Sequence, residues 1–262
     1  MDPQDILKMN GAAWDKQSSD GQSPWTQPVS SADIQRARQG DWALILTPTK
    51  PVPADWYGEL RGARVLTLAS GGGQQAPILA AAGADVVSFD YSRVQLEKDA
   101  AVAARDGLSI RCEQGDMADL SRFAADSFDL IFHPVSNVFA RSVLPVWQES
   151  ARVLVRGGRL LAGFMNPDFY LFDHEAIEAG ADPVVRFSLP YRDIDHMNKR
   201  EMRERISQGG GLEFSHSLQD QIGGQIDAGF TLAGFYEDRW SDAATPLNRH
   251  MPTSMATLAI KS

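Results

Sequence analysis

The chain has 262 residues, of which 43% are hydrophobic and 23% are charged, a composition typical of a folded globular protein. Its 34 acidic and 25 basic side chains give a formal net charge of −9, which argues against a nucleic-acid partner, since phosphates require a basic face. Cys112 is the only cysteine, which excludes an internal disulfide and any multi-cysteine metal site. The chain begins without an apolar signal core, and no apolar run reaches about 18 residues, so we expect a cytoplasmic protein with no membrane partner.

The region before residue 62 differs in composition from the rest of the chain. It holds four of the six tryptophans, and its Ser-, Gly- and Pro-rich stretches at residues 18–21 and 48–53 indicate turns. Between these stretches the sequence predicts a helix over residues 31–38, capped by Ser31, and a short strand over residues 42–46. We interpret residues 1–61 as an N-terminal extension that wraps on a larger body.

Residues 62–165 alternate between apolar strand patterns and helical patterns. Ser92 is placed to cap the long helix over residues 93–105, and Gly107 to end it. Strands are predicted over residues 64–69, 85–90, 108–112, 127–132 and 159–165, and helices over residues 74–82, 93–105 and 142–155. Strands that are apolar throughout and alternate with helices indicate a parallel sheet covered on both faces.

The alternation breaks after residue 165. A helix over residues 168–178, a strand over 183–189 and a charged helix over 195–207 are interpreted as an insertion, residues 166–212, above the strand ends. Residues 213–262 return to the sheet: a capping-box-like start at Ser217 opens a helix that Gly229 ends. Strands predicted over residues 230–236 and 254–260 then form an antiparallel pair.

A strand followed by a glycine turn and a helix, residues 65–82, is the most informative segment for function. Glycines let the backbone approach a ligand closely, and Asp90, at the end of the next strand, can bind both hydroxyls of a ribose. The spacing Gly71-x-Gly73-x-x-Ala76 also matches the fingerprint of dinucleotide-binding proteins. The fingerprint alone does not decide whether the ligand is a dinucleotide or another ribose-containing molecule, and the third strand adds the distinguishing residues. It ends in Gly115-Asp116-Met117, where the acid suits an adenine edge and the apolar residue suits an adenine ring.

Together these motifs resemble a class I S-adenosylmethionine (SAM)-dependent methyltransferase of the small-molecule type, over roughly residues 62–165. The series also includes Phe128-Asp129-Leu130-Ile131 and Arg152-Val153-Leu154-x-x-Gly157-Gly158. The resemblance implies an α/β fold: a doubly wound, seven-stranded, mostly parallel, Rossmann-like sheet, here with the N-terminal extension and the inserted cap. It implies SAM as cofactor, S-adenosylhomocysteine as product, and a small-molecule acceptor as partner.

The resemblance also implies roles for individual residues. Those expected at the cofactor are Ala69, Ser70, Gly71 and Gly73 at its methionine and ribose, Asp90 at the ribose hydroxyls, Tyr91, Asp116 and Met117 at the adenine, and His133 near the methyl group. The pattern departs from the family at Thr67, where such enzymes often have an acid. It also lacks the Asn/Asp-Pro-Pro-Tyr/Phe motif of enzymes that methylate exocyclic or amide nitrogens, since His133-Pro134-Val135-Ser136 stands there.

Methyl transfer from a sulfonium is an in-line displacement, so the enzyme mainly positions the acceptor and excludes water. His133 is the best-placed candidate base, or else a residue that only contacts the ligands, since histidine titrates near neutral pH. Asn137 is a candidate to orient the acceptor, with capping of the next segment as the alternative. We predict that Trp14, Trp25 and the region near Tyr191 close over the cofactor, so that the acceptor pocket is largely apolar and aromatic.

Three other functions remain open at this stage. An RNA- or protein-modifying enzyme of the same fold would need a basic mouth around the insertion. A non-enzymatic nucleotide-binding module would not need the complete cofactor series, and a nicotinamide-dependent oxidoreductase would not need the adenine-side Gly115-Asp116-Met117. The five histidines are scattered without metal-ligand spacing, so no metal is expected. The sequence does not indicate an oligomeric state.

Overall fold

The computed structural model describes residues 1–241 and 243–262. Its described residues form a seven-stranded sheet in the order β3-β2-β1-β4-β5-β7-β6. Strands β1 to β5 pair in parallel, whereas β7 is antiparallel to both of its neighbours. The strands are β1 (Arg64–Leu68), β2 (Asp85–Asp90), β3 (Ile110–Gln114), β4 (Phe128–His133), β5 (Leu154–Met165), β6 (Phe230–Asp238) and β7 (Ser254–Lys261). The predicted fold class and the antiparallel closing pair are confirmed.

Helices cover both faces of the sheet. One apolar cluster packs α3 (Gln75–Ala81) and part of α4 (Arg93–Asp106) on one face, and a second packs α5 (Leu144–Val153) on the other. The predicted caps of α4 are confirmed, because the Ser92 hydroxyl accepts a hydrogen bond from the Gln95 amide and Gly107 ends the helix with φ of +63°. No helix within the described residues is long and apolar enough to cross a membrane.

The N-terminal region is more helical than the sequence predicts. It begins with α1 (Pro3–Asp20), an 18-residue helix that was not predicted and that Gly21 ends with φ of +64°. The predicted helix is present as α2 (Ser31–Arg38), but its cap is Ser30, not Ser31. The strand predicted over residues 42–46 is wrong, since only Ile45 forms a bridge, to Pro51 on a neighbouring turn.

The segment after β5 departs further from prediction. The helix expected over residues 168–178 is split into a 3-10 turn, Pro167–Leu171, and α6 (His174–Glu178), because Asp173 caps a new helix. The expected strand over 183–189 is wrong: Val184 and Val185 are exposed, and Val185 makes a single bridge, to Phe172. The charged helix is also split, into α7 (Asp193–His196) and α8 (Lys199–Ser207), the latter starting at a capping box on Asn198.

The helix predicted from Ser217 takes the form of a π-helical turn, Gln219–Gly223, continued by α9 (Gly224–Asp227). Position 224 leaves no room for a larger residue than glycine, because a Cβ there would lie 2.8 Å from Leu144 Cδ2 and 2.9 Å from Trp147 Cδ1. The glycine therefore serves the close approach of this helix to α5.

Candidate active site

A cavity of about 1290 Å³ lies at the carboxyl edge of the parallel strands. The residues that follow β1 to β4 form its floor, namely 69–71, 90–92, 115–118 and 134–136. Helix α1, α6 and the loop after β6 form its walls and roof. Ligands of open α/β sheets bind at this edge, and the volume exceeds the roughly 300–1,000 Å³ typical of a single small-ligand site.

The glycine loop between β1 and α3 is fixed by acceptors on β2 and α4. Its three glycine amides all donate hydrogen bonds within the protein, and none is left facing the cavity as a free anion-binding donor. The bonds run from Gly71 to Asp90 Oδ2 (3.0 Å), from Gly72 to the Gln95 carbonyl (3.0 Å) and from Gly73 to Asp99 Oδ1 (2.6 Å). The glycines do allow a close approach, as expected, but the groups that approach them belong to the protein itself. A Cβ on Gly71 would lie 2.7 Å from Gln95 Cβ.

Of the residues expected at the methionine end, Ala69, Ser70 and Gly71 line the cavity, whereas Gly73 does not. Ala69 has φ of +49°, a strained backbone conformation for a residue with a side chain. The Ser70 hydroxyl is buried and forms no hydrogen bond with the described residues. An unpaired hydroxyl beside a cavity is costly unless a ligand pairs with it.

Asp90 lines the cavity at the end of β2. Its Oδ1 accepts a hydrogen bond from the Ser92 amide (2.8 Å), while its Oδ2 accepts from Gly71. Burial raises the pKa of Asp90 to about 6, the two backbone donors act in the opposite direction, and the nearby carboxylate of Asp15 raises it further. The carboxylate is therefore rigidly held, with lone pairs left to accept from a ligand hydroxyl.

The residues expected at an adenine also meet at the cavity. Asp116 and Met117 line it, and burial raises the pKa of Asp116 despite a hydrogen bond from the Ala118 amide to its Oδ1 (2.9 Å). The Tyr91 ring lies directly against α1, since a Cβ on Gly11 would be 2.5 Å from Tyr91 Cδ1.

His133 does not reach the cavity. Its side chain is fully buried beneath the end of β4, its Nδ1 donates to the Leu68 carbonyl (2.9 Å), and its ring meets Trp147 edge-on. Nε2 is buried without a hydrogen-bond partner among the described residues. Burial lowers the pKa of His133 to about 4, so the ring is neutral near pH 7. This position does not suit the base or methyl contact expected from the sequence, because the fully buried His133 is not among the residues that line the cavity.

Helix α1 forms the roof of the cavity. Seven of its residues line the cavity and recur every three or four positions, which places them on one helix face: Pro3, Ile6, Leu7, Asn10, Gly11, Trp14 and Gln17. The helix is attached at both ends of the site. Asp15 Oδ1 accepts from the Ser92 hydroxyl (2.6 Å), while the buried Asn10 exchanges hydrogen bonds with Leu212 (2.7 and 3.1 Å).

The tryptophans expected at the acceptor both line the cavity. Trp14 meets Phe139 edge-on with ring centroids 5.4 Å apart, and Trp25 meets Trp240 in the same way at 5.6 Å. Asn137, also expected there, is fully buried behind the cavity wall, where its Nδ2 donates to Gln221 Oε1 (2.9 Å). It secures the π-helical turn and does not line the cavity.

Tyr191 lies one layer behind the cavity. Its ring stacks on Tyr170, which does line the cavity, with centroids 5.7 Å apart. Its hydroxyl donates to Asp193 Oδ1 (2.8 Å), and the Tyr170 hydroxyl donates to Glu213 Oε2 (2.7 Å). Arg205 lies within 3.7 Å of Asp193 and 3.8 Å of Glu213. Tyr191 thus supports the wall that Tyr170 forms.

Sequence reasoning missed the residues that hold the loop and roof, above all Asp99, Asp15 and Asn10. The available signal for Asp99 was its helical spacing from the apolar Leu96 and Val102, which places it on the inner face of the predicted helix. Within the described residues, no group of three His, Cys, Asp or Glu side chains is arranged to bind a metal ion.

The chain belongs to the methyltransferase family. A family model described as "Methyltransferase domain" matches residues 66–162. The chain is 48% identical to a Bacillus subtilis (strain 168) protein named "Uncharacterized methyltransferase YbaJ", over 256 residues that cover 98% of each protein.

Solved structures show the same fold. An S-adenosylmethionine-dependent methyltransferase from Mesorhizobium loti superposes with a TM-score of 0.61 at 18% identity, covering 79% of this chain and 94% of that one. An arsenic(III) S-adenosylmethionine methyltransferase from Chlamydomonas reinhardtii superposes with a TM-score of 0.53 at 19% identity, covering 90% and 74%. The chain therefore has the same fold as these SAM-dependent methyltransferases.

Proposed function

We propose that this methyltransferase transfers the methyl group of SAM to a small-molecule acceptor enclosed with the cofactor in the cavity. The observation that supports this best is the state of the glycine loop. Its three glycine amides are already paired with protein acceptors, and two of those acceptors are the carboxyl groups of Asp90 and Asp99. A pyrophosphate would find these glycine amides occupied and would be repelled by an ionised carboxylate, whereas a positively charged sulfonium is attracted.

The cavity residues fit SAM. Asp90 would accept from the ribose hydroxyls, and Asp116 and Met117 would hold the adenine edge and ring. The unpaired Ser70 hydroxyl and the strained Ala69 would lie at the methionine part. When bound, SAM supplies an electrophilic methyl group on a positively charged sulfur.

The protein's contribution to the reaction is to position the acceptor and exclude water. Trp14, Phe139 and Tyr170 also line the cavity, and Trp14 belongs to the roof helix α1. Aromatic faces attract a sulfonium by about 0.5–2 kcal/mol, and a closed roof keeps water from the reacting atoms. An acceptor that fits this space is small and largely apolar, with its nucleophilic atom facing the cofactor.

Calorimetric titration of the purified protein with SAM and with NAD tests the cofactor assignment. We expect SAM to bind and NAD not to bind. Asp90→Ala should weaken SAM binding ten- to several-hundred-fold, because hydrogen bonds to a charged group contribute about 1.5–3 kcal/mol each. Asp85→Ala, which alters an exposed acid at the opposite end of the same strand, is the matched control and should bind normally. NAD binding in preference to SAM, or an unchanged affinity in Asp90→Ala, would contradict the proposal.

Methyl transfer from isotopically labelled SAM tests the acceptor class. The protein is incubated in parallel with the small-molecule, RNA and protein fractions of a cell extract. We expect label in the small-molecule fraction. Label in RNA or protein would instead support a macromolecule-modifying enzyme of the same fold.

A further inference from the structure

A row of small polar side chains lies beneath the glycine loop on one face of the sheet. Thr67, Ser88 and Cys112 are register partners on the adjacent parallel strands β1, β2 and β3, so their side chains project to the same face. Helix α4 packs over this face and contributes Asp99, whose side chain is fully buried. Small side chains in this row leave room for the carboxylate.

Asp99 joins this row to the loop. Its Oδ1 accepts a hydrogen bond from the Gly73 amide (2.6 Å), and its Oδ2 accepts from the Ser88 hydroxyl (2.6 Å). Among the described residues, the charged group acting on it is the like-charged Asp90, and no cation pairs with it. A buried carboxylate without a cation is costly, so its retention calls for a specific task.

Thr67 provides the second observation. Its side chain is fully buried, and its hydroxyl forms no hydrogen bond with the described residues. The carboxylate that contacts the loop from within this face therefore comes from α4 and not from β1.

We propose that Asp99 is a positioning residue that anchors Gly73 and holds the glycine loop in its ligand-binding conformation. The effect on cofactor affinity rests on the proposed function. The anchoring of Gly73 does not, and it is measurable in the ligand-free protein.

Amide hydrogen exchange measured by NMR tests the anchor. Asp99→Ala removes the acceptor, whereas Asp99→Asn keeps an oxygen for Gly73 and is the matched control. We expect the Gly73 amide to exchange at least about tenfold faster in Asp99→Ala than in Asp99→Asn, with the Leu66 amide of β1 unchanged. A purely structural role would raise exchange at both sites. Equal Gly73 exchange in the two folded variants would overturn the proposal.

Cofactor affinity is measured separately, by titration with S-adenosylhomocysteine. We expect about a tenfold or greater loss in Asp99→Ala and less than about a threefold change in Asp99→Asn. If the wild-type protein itself does not bind S-adenosylhomocysteine, the proposed function fails, and Gly73 exchange still decides the role of Asp99. Unchanged affinity in Asp99→Ala, with normal wild-type binding, would overturn the proposal.

A measurement on the wild-type protein covers the case in which Asp99→Ala does not fold. Burial raises the pKa of Asp99 to about 7. The other titratable groups facing it are Asp90, at the end of β2, and Cys112, whose pKa is raised by its own burial to about 11. The Gly73 amide proton should therefore shift with pH as Asp99 titrates in the wild type, and by more than in Asp99→Asn, where only Asp90 still titrates nearby. Equal pH-dependent shifts of Gly73 in the two proteins, measured over the whole range in which both stay folded, would refute the anchor.

Discussion

Replacing Asp99 by asparagine should stabilise the protein above neutral pH. Burial raises the pKa of this carboxyl from 3.8 to about 7, so the folded chain keeps a proton that the unfolded chain releases. The stability from this group is therefore fully present below about pH 4 and is lost as the pH rises through about 7. The difference between the two pKa values corresponds to as much as about 4 kcal/mol, at about 1.36 kcal/mol for each pKa unit.

Asparagine has no charge to bury, and it keeps both contacts, because its oxygen can accept from Gly73 and its amide can donate to the Ser88 hydroxyl. Urea unfolding at about pH 4 and about pH 8 measures the effect as the difference in free energy of unfolding between variant and wild type. We expect little difference at the lower pH and a gain of up to about 4 kcal/mol at the higher pH. The exposed Asp85→Asn is the control. A variant that is less stable than wild type at about pH 8 would refute the reasoning, since it would show that the ionised carboxylate stabilises the fold.

Three further predictions concern the roof, the buried histidine and the loop. Asp15→Ala removes the acceptor that ties α1 to the first turn of α4. It should lower the free energy of unfolding by about 1 kcal/mol and speed amide hydrogen exchange in α1. Unchanged exchange would show that packing alone holds the roof. Burial lowers the pKa of His133 from 6.5 to about 4, so we expect the turnover–pH profiles of the wild type and of His133→Gln to have the same shape near pH 6.5. An inflection near pH 6.5 that is present in the wild type and lost in His133→Gln would show that His133 acts as a base. Gly73→Ala places a Cβ 2.8 Å from Pro28 Cβ at φ of +80°, whereas Gly107→Ala, the control, has φ of +63° and open space around the new Cβ. Gly73→Ala should therefore lower the free energy of unfolding by about 1–3 kcal/mol more than Gly107→Ala. Equal losses of stability in thermal unfolding would mean that the contact with Pro28 relaxes freely.

The strand–helix core could be predicted from sequence because its signals are local. Strands β1, β2 and β4 are short apolar runs between turn residues, and α4 has a serine cap, an apolar stripe and a terminal glycine. Each pattern follows from the burial of one side of the element against the sheet. The predicted and observed ends of these elements differ by at most two residues.

Helix α1 was missed because its inner face covers a cavity rather than the apolar core. That face includes Asn10, Gly11 and Gln17, which a hydrophobic-periodicity search counts against a helix. Glycine in mid-helix also lowers helix propensity by about 1 kcal/mol relative to alanine. Its reason is tertiary: Gly11 leaves room for the Tyr91 ring, which no local pattern reveals.

The ligand class of the glycine loop was open in the sequence for a similar reason. The spacing Gly71-x-Gly73-x-x-Ala76 predicts a tight turn before a helix, but not what the amides of that turn bind. The deciding groups lie elsewhere in the chain: Asp90 on β2 and Asp99 on α4 accept from the loop, 19 and 26 residues beyond the glycines that they pair with. Where such acceptors are present, they hold the loop rigidly, and an ionised carboxylate such as Asp90 favours a cation. Where they are absent, the same amides are free for phosphate. A strand–glycine–helix motif should therefore be interpreted together with the acids on the two elements that follow it.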